Sequence, residues 1–128
     1  MNDVAPSSAP TPESDLGALV DEWLDWSETA SALGVSVNKV RTMIREHDLA
    51  AAVPSPGAGQ KVPALFIHDG LIAKGLPGLL TMFHDGGWSD RECIEWIYTD
   101  MDLPGRPIDA LRENRGSEVK RRAQAEAL

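Results

Sequence analysis

Asn38, Arg41, Thr42 and Arg45 fall at i, i+3, i+4 and i+7 of one stretch of chain. On an α-helix that spacing puts all four on one face. The stripe contains no acid. Arginine and asparagine make paired hydrogen bonds to guanine and adenine edges, and threonine can touch the thymine methyl. The chemistry on offer is therefore the reading of base edges in a duplex groove. Ser36 and Lys39 flank the stripe, where a hydroxyl, an ammonium and the positive end of a helix suit backbone phosphate. An ordinary amphipathic helix with a solvated cationic face would share this composition.

The surrounding residues 28–47 read as a helix-turn-helix. Ala30 and Leu33 give a first short helix its apolar face, and Ser27 is expected to cap it, with Glu28 at its positive end. Leu33-Gly34-Val35 makes the turn, where Gly34 supplies a positive φ. Ser36 stands at the N-cap of a second helix from about Val37 to about Glu46. Val37, Val40, Met43 and Ile44 form its inward side. Two helices joined by a short glycine turn fit the motif.

A wing is expected next. Ala50-Ala51-Ala52-Val53 and Val62-Pro63-Ala64-Leu65-Phe66 flank a tip rich in proline and glycine, and the pattern suggests a hairpin. Pro63 would confine its strand to an edge. Gln60 and Lys61 near the tip would reach phosphate or a minor groove. A flexible loop between helices is the plain alternative.

Charge is uneven. The chain of 128 residues carries a net charge of −8. Residues 1–26 hold six acids and no base, residues 27–66 have a net charge of +1, and residues 67–128 a net charge of −3. The stretch with the duplex-reading stripe is the only one that is not acidic. With so few cations, binding to DNA should be weak and sensitive to salt unless two copies act together.

The length suits one compact domain, or one small domain with an extension. Residues 1–15 are rich in Pro, Ser and Ala, and are expected to form a disordered acidic tail. Thr11, between two prolines, is its phosphorylation candidate, beside Ser7, Ser8 and Ser14. Residues 16–66 hold the winged motif, with Leu19 to Trp26 leading in as a short helix or strand. Residues 67–128 read as a helical C-terminal domain. Helices are expected over Ile67 to about Lys74, Leu76 to Asp85, Asp90 to Tyr98, Ile108 to Asn114 and from Glu118 onward. Pro77 suits a first turn, Gly86-Gly87 a stop and Ser89 a cap. The fold class is mainly α: a winged helix-turn-helix with a helical C-terminal extension.

No catalytic set emerges, so the chain does not read as an enzyme. His47, His68 and His84 are scattered, without carboxylate or cysteine partners at metal-ligand spacing, and are expected to be exposed. No metal and no cofactor is expected. Gly57-Ala58-Gly59 lacks the strand and helix of a nucleotide site. The single cysteine, Cys93, has no internal disulfide partner and reads as a buried structural thiol. No leader segment and no membrane-length apolar run is apparent, so a cytoplasmic protein without membrane contact is expected.

The run Trp26 to Val40, with the Pro63-Ala64-Leu65-Phe66 strand, resembles the winged helix-turn-helix of MerR-type and excisionase-type regulators. Lys74 to Trp88, with Arg106 to Arg112 and Val119 to Ala125, resembles a family of small actinobacterial DNA-binding proteins. That resemblance implies an N-terminal tail, a winged helix-turn-helix and a helical C-terminal domain. It also implies double-stranded DNA and a Ser/Thr protein kinase as partners, with transcription regulation as the role. Gly105 to Leu111, with Gly116 to Val119, is similar to the partner-binding segment of certain antitoxins. A non-enzymatic interaction adaptor, or an antitoxin-like protein, therefore stands as the alternative function.

Overall fold

Asp25 and Glu28 begin the motif. The Glu28 amide donates to Asp25 Oδ1 at 2.7 Å, and the Asp25 amide donates to Glu28 Oε1 at 2.9 Å. This reciprocal pair starts the first motif helix at Trp26, so Asp25 rather than Ser27 is the cap. A computed structural model describes residues 13–127 apart from residues 102 and 104. Its elements are α1 (Glu13–Leu19), β1 (Trp23–Leu24), α2 (Trp26–Leu33), α3 (Val37–Arg45), β2 (Val62–Pro63), β3 (Ile67–His68), β4 (Leu71–Ile72), α4 (Leu76–Asp85), α5 (Asp90–Tyr98), α6 (Pro107–Arg112) and α7 (Gly116–Ala127). The fold is mainly α, a winged helix-turn-helix with a helical C-terminal extension.

The expected tail is shorter than residues 1–15 at its C-terminal end, because α1 begins at Glu13. Thr11 and the rest of the tail lie outside the described residues. Leu16 and Val20 explain the helix: both are buried in the core. Gly17 lets α1 approach the wing base, since a Cβ there would stand 2.6 Å from the Pro54 carbonyl oxygen.

The wing differs from the expected hairpin. Strand β2 pairs not with residues 50–53 but with β1, antiparallel, Trp23 opposite Pro63 and Leu24 opposite Val62. Pro63 can take this place because the sheet has only two strands. Residues 50–53 keep a single bridge, Ala52 to Lys61, with paired bonds of 3.0 and 2.9 Å. Ala64–Phe66 then tightens into a 3-10 turn rather than continuing the strand.

Residues 67–74 form a hairpin, not a helix. Strands β3 and β4 pair through the Asp69-Gly70 turn, whose φ angles of 54° and 79° are both positive. An Asp-Gly pair of this kind twists with the strands it joins and so overrides the short apolar run. Helices α4 and α5 match their expected spans, α4 with Pro77 in its first turn and α5 with the Ser89–Glu92 capping box. Helix α6 starts one residue early on Pro107, and α7 starts at Gly116.

One closing device recurs. Helices α2, α3, α4 and α6 each end on a residue with left-handed φ: Gly34, His47, Gly87 and Asn114, at 69°, 65°, 92° and 62°. In each, the next amide reaches back to a carbonyl in the last turn, as Val35 to Ala30 at 3.0 Å and Asp48 to Met43 at 2.8 Å. Glycine and asparagine are the usual occupants of such a site. His47 is the unusual one, at a cost of about 1–2 kcal/mol for a residue with a Cβ.

The core is continuous. Leu16, Leu49, Val62 and Phe66 join Leu76, Phe83, Ile94, Ile97, Ile108 and Val119 in one buried cluster. Phe83 stacks on Trp88 at 4.3 Å and meets Trp96 edge-on at 5.1 Å. Fully burying such a side chain contributes about 1.5–3 kcal/mol. Arginines reinforce the join. Arg112 Nη1 donates to the carbonyls of Leu65 and Ile67, both at 2.9 Å. Arg106 grips Asp109 through two bonds and Asp21 through a third at 3.0 Å, and lies over the Tyr98 ring.

Candidate nucleic-acid interface

Helix α3 carries the stripe. Ser36 caps it, its hydroxyl accepting from the Lys39 amide at 3.1 Å. No acid lies in its first turn, so the positive end of the helix is uncompensated. Val40 is buried, while Val37, Met43 and Ile44 are half-buried on the same side. Asn38, Lys39, Arg41 and Arg45 are exposed, and Thr42 is half-buried.

The four stripe residues do share one face. Thr42 Oγ1 donates to the Asn38 carbonyl at 3.2 Å, and Arg45 Nη2 donates to Thr42 Oγ1 at 3.3 Å. The Thr42 hydroxyl is thus engaged within the helix. Arg41 and Lys39 make no ion pair with any described residue. Arg106 and Arg112, by contrast, are spent on internal partners.

Helix α2 fixes how α3 is presented. Thr29 is buried, and its hydroxyl donates to the Asp25 carbonyl at 2.7 Å. Gly34 then turns the chain so that α3 leaves at a defined angle. On the wing, the Lys61 backbone is pinned by its bridge to Ala52, with the side chain half-buried, and Gln60 is exposed beside it. Gly57, with φ of 86°, shapes the tip between.

Chemically, α3 presents guanidinium, ammonium and amide donors around the dipole's positive end. Such a surface holds anions and can hydrogen-bond base edges.

The histidines are not as expected. His47 and His84 are brought together with ring centroids 3.7 Å apart, and His84 Nε2 lies 2.7 Å from Asp90 Oδ1. The His84 side chain is only 14% exposed. His68 and Asp69 approach to 3.2 Å, the His68 side chain 39% and the Asp69 side chain 89% exposed. Sequence spacing gave no hint of the first group, because it forms only through packing of three helix ends. Cys93 is buried as expected, and burial pushes its thiol up to about 12. Among the described residues no helix is long and apolar enough to cross a membrane.

Two family descriptions match the chain. The wHTH domain of the DNA-binding protein Rv2175c matches residues 12–67, and the Rv2175c C-terminal domain of unknown function matches residues 73–127. The DNA-binding protein Rv2175c of Mycobacterium tuberculosis (strain ATCC 25618 / H37Rv) is 38% identical, over 80% of this chain and 79% of the relative. The NMR structure of Rv2175c superposes with a TM-score of 0.76 at 34% identity, covering all of both chains. With a related fold, both halves matched and an exposed cationic helix in the expected place, the chain belongs to the Rv2175c family of winged helix-turn-helix proteins.

Proposed function

We propose that this chain binds double-stranded DNA and acts as a transcriptional regulator. The observation that carries the reading is the face of α3, where Arg41 and Lys39 stand exposed beside Asn38 and Arg45, without an ion pair among the described residues. A relative whose name describes it as DNA-binding adds support. In this reading Asn38, Arg41, Thr42 and Arg45 address the major groove. Ser36 and Lys39 hold the backbone, and Gln60 and Lys61 act from the wing. Residues 16–66 make the contacts, and residues 67–128 brace them through Arg106 and Arg112. No catalytic step is assigned to any residue.

The test is an anisotropy titration of one random duplex at low and moderate salt. Each phosphate neutralised contributes about −0.9 to the slope of log affinity against log salt. Lys39, Arg41, Arg45 and Lys61 would therefore give a slope no steeper than about −4 per chain. Absence of binding at low salt would favour an interaction adaptor, for which the net charge of −8 is the supporting observation.

Phosphorylation of the acidic tail by a Ser/Thr kinase, with Thr11 as the candidate, would weaken DNA binding in this reading. A phosphate adds about −1.5 to −2 charges, which compete for the basic face. Equal affinity of phosphorylated and unmodified chains for one duplex at low salt would rule this out.

A further inference from the structure

Three helix ends converge where α3, α4 and α5 meet. His47 follows the last turn of α3, His84 lies in the last turn of α4, and Asp90 opens α5. One donor atom from each lies within 4.8 Å of the other two. His47 Nδ1 and His84 Nε2 are both buried without a hydrogen-bond partner among the described residues. For His84 this holds although Asp90 Oδ1 approaches to 2.7 Å, as an ion-pair partner rather than a hydrogen-bond acceptor. Folded proteins rarely leave two buried polar nitrogens unpaired side by side.

We propose that His47, His84 and Asp90 bind a first-row divalent cation of the zinc type, with water completing its shell. Two imidazoles and one carboxylate suit zinc, cobalt or nickel, and supply too few oxygens for calcium or magnesium. The carboxylate is already oriented: Asp90 Oδ2 accepts from the Ala51 amide at 3.1 Å, which leaves Oδ1 toward the rings. Backbone support of this kind is what holds metal-binding carboxylates in place. Ligand atoms on a shared cation with bonds of about 2.1 Å lie about 3.0–3.4 Å apart, so the His84–Asp90 approach needs to open by a few tenths of an ångström, and the stacked His47 and His84 rings, 20° from parallel, need to turn until both nitrogens face one point. The side chains of His84 and Asp90 are 14% and 22% exposed, so solvent can deliver the ion.

The backbone supplies an independent observation. Of the four helices closed by a left-handed residue, three use glycine or asparagine, and only α3 uses a larger side chain, His47. A positive φ costs energy at a residue with a Cβ, and His47 carries that cost where its ring meets His84. The ring brings the end of α3 to His84 and Asp90. A bound cation would then tie the cationic helix to α4 and α5.

The test uses the full chain, stripped with chelator and titrated with Co(II), followed by Zn(II) competition. One equivalent of Co(II) should bind with visible d–d absorption, and Zn(II) should displace it and raise the thermal midpoint. His84→Gln and Asp90→Asn should each weaken binding by more than about tenfold, since even residues that only support a ligand cost that much. His68→Gln, at the exposed pair, should bind as the parent does. His47→Asn keeps a residue suited to the left-handed site while removing the ring, so it decides the matter if His84→Gln fails to fold. Lack of stoichiometric uptake by the parent chain, or parent-like affinity in His47→Asn, overturns the proposal.

Discussion

Gly17 leaves no room for a side chain against Pro54: a Cβ would come within 2.6 Å of the proline carbonyl oxygen. Two effects oppose each other in Gly17→Ala. Helix propensity gains about 1 kcal/mol. Overpacking against backbone, which cannot swing away as a side chain can, costs about 1–3 kcal/mol. The substitution should therefore lower stability, read as a lower urea midpoint. A raised midpoint would show that α1 can shift freely against the wing base.

Arg112 holds the junction between the winged half and the C-terminal helices. Its Nη1 serves two carbonyls, Leu65 and Ile67. Arg112→Met keeps much of the stem and removes the donor. With partly buried carbonyls left unpaired, a loss of about 2 kcal/mol is expected. An unchanged chemical denaturation midpoint would mean that water replaces the guanidinium without cost.

Asp109 gives the stability an acid limb. The Arg106 guanidinium, hydrogen-bonded to both of its oxygens, holds its carboxyl below the usual range, and Asp109 returns the effect by raising Arg106. A carboxyl depressed on folding stabilises above its unfolded value. That stabilisation is lost as pH falls through the lower folded value. Thermal midpoints should therefore fall below about pH 4. The fall should be shallower in Asp109→Asn, which starts less stable at neutral pH. Parallel profiles for the two proteins would contradict this.

Cys93 should report unfolding. Burial, with Asp90 and Glu92 nearby, pushes its thiol up to about 12, so almost no thiolate exists near neutrality. Modification by a disulfide reagent should be slow in the native protein and fast in denaturant. Rapid native labelling would show that α5 opens locally.

Arg41→Ala and Arg45→Ala should weaken DNA binding and leave the fold intact, since both side chains are exposed. Loss of a base contact costs about 1–3 kcal/mol of binding and loss of a phosphate contact flattens the salt slope by about one unit. Arg41, without a partner among the described residues, should lose more than Arg45, which already bonds Thr42. Equal, parent-like affinity of both variants at low salt would remove α3 from the interface.

Local signals carried the readable part of this fold. Gly34, Ser36 and the apolar spacing of Val37, Val40, Met43 and Ile44 act over one or two turns, and they place α2 and α3. Ser89 and Gly86-Gly87 do the same for α4 and α5. The pairing of β1 with β2 was hidden because Trp23 meets Pro63 across forty residues of chain. The β3–β4 hairpin did leave a signal, the Asp69-Gly70 pair, which outweighs the helical look of its neighbours. Of the stripe, the sequence showed the face and its charge. It could not show that Thr42 is already bonded within the helix, or that Arg106 and Arg112 are withdrawn from the surface. The meeting of His47, His84 and Asp90 depends on three helix ends packing together, and no spacing rule reaches that far.

The single core sets the order in which the chain can become itself during synthesis. Asp21 must wait for Arg106, and Val62 and Phe66 for the cover of α4 to α7. A nascent chain grows at about 5–20 residues per second, so the cationic helix leaves the ribosome seconds before its support exists. In that interval α3 lies on an unfinished apolar base, close to ribosomal RNA of the charge it is built to attract. Protease protection of α3 in stalled chains of increasing length should therefore arrive late and all at once, when the last helix has emerged. Early protection at the length of the winged half alone would show that this half stands without its brace.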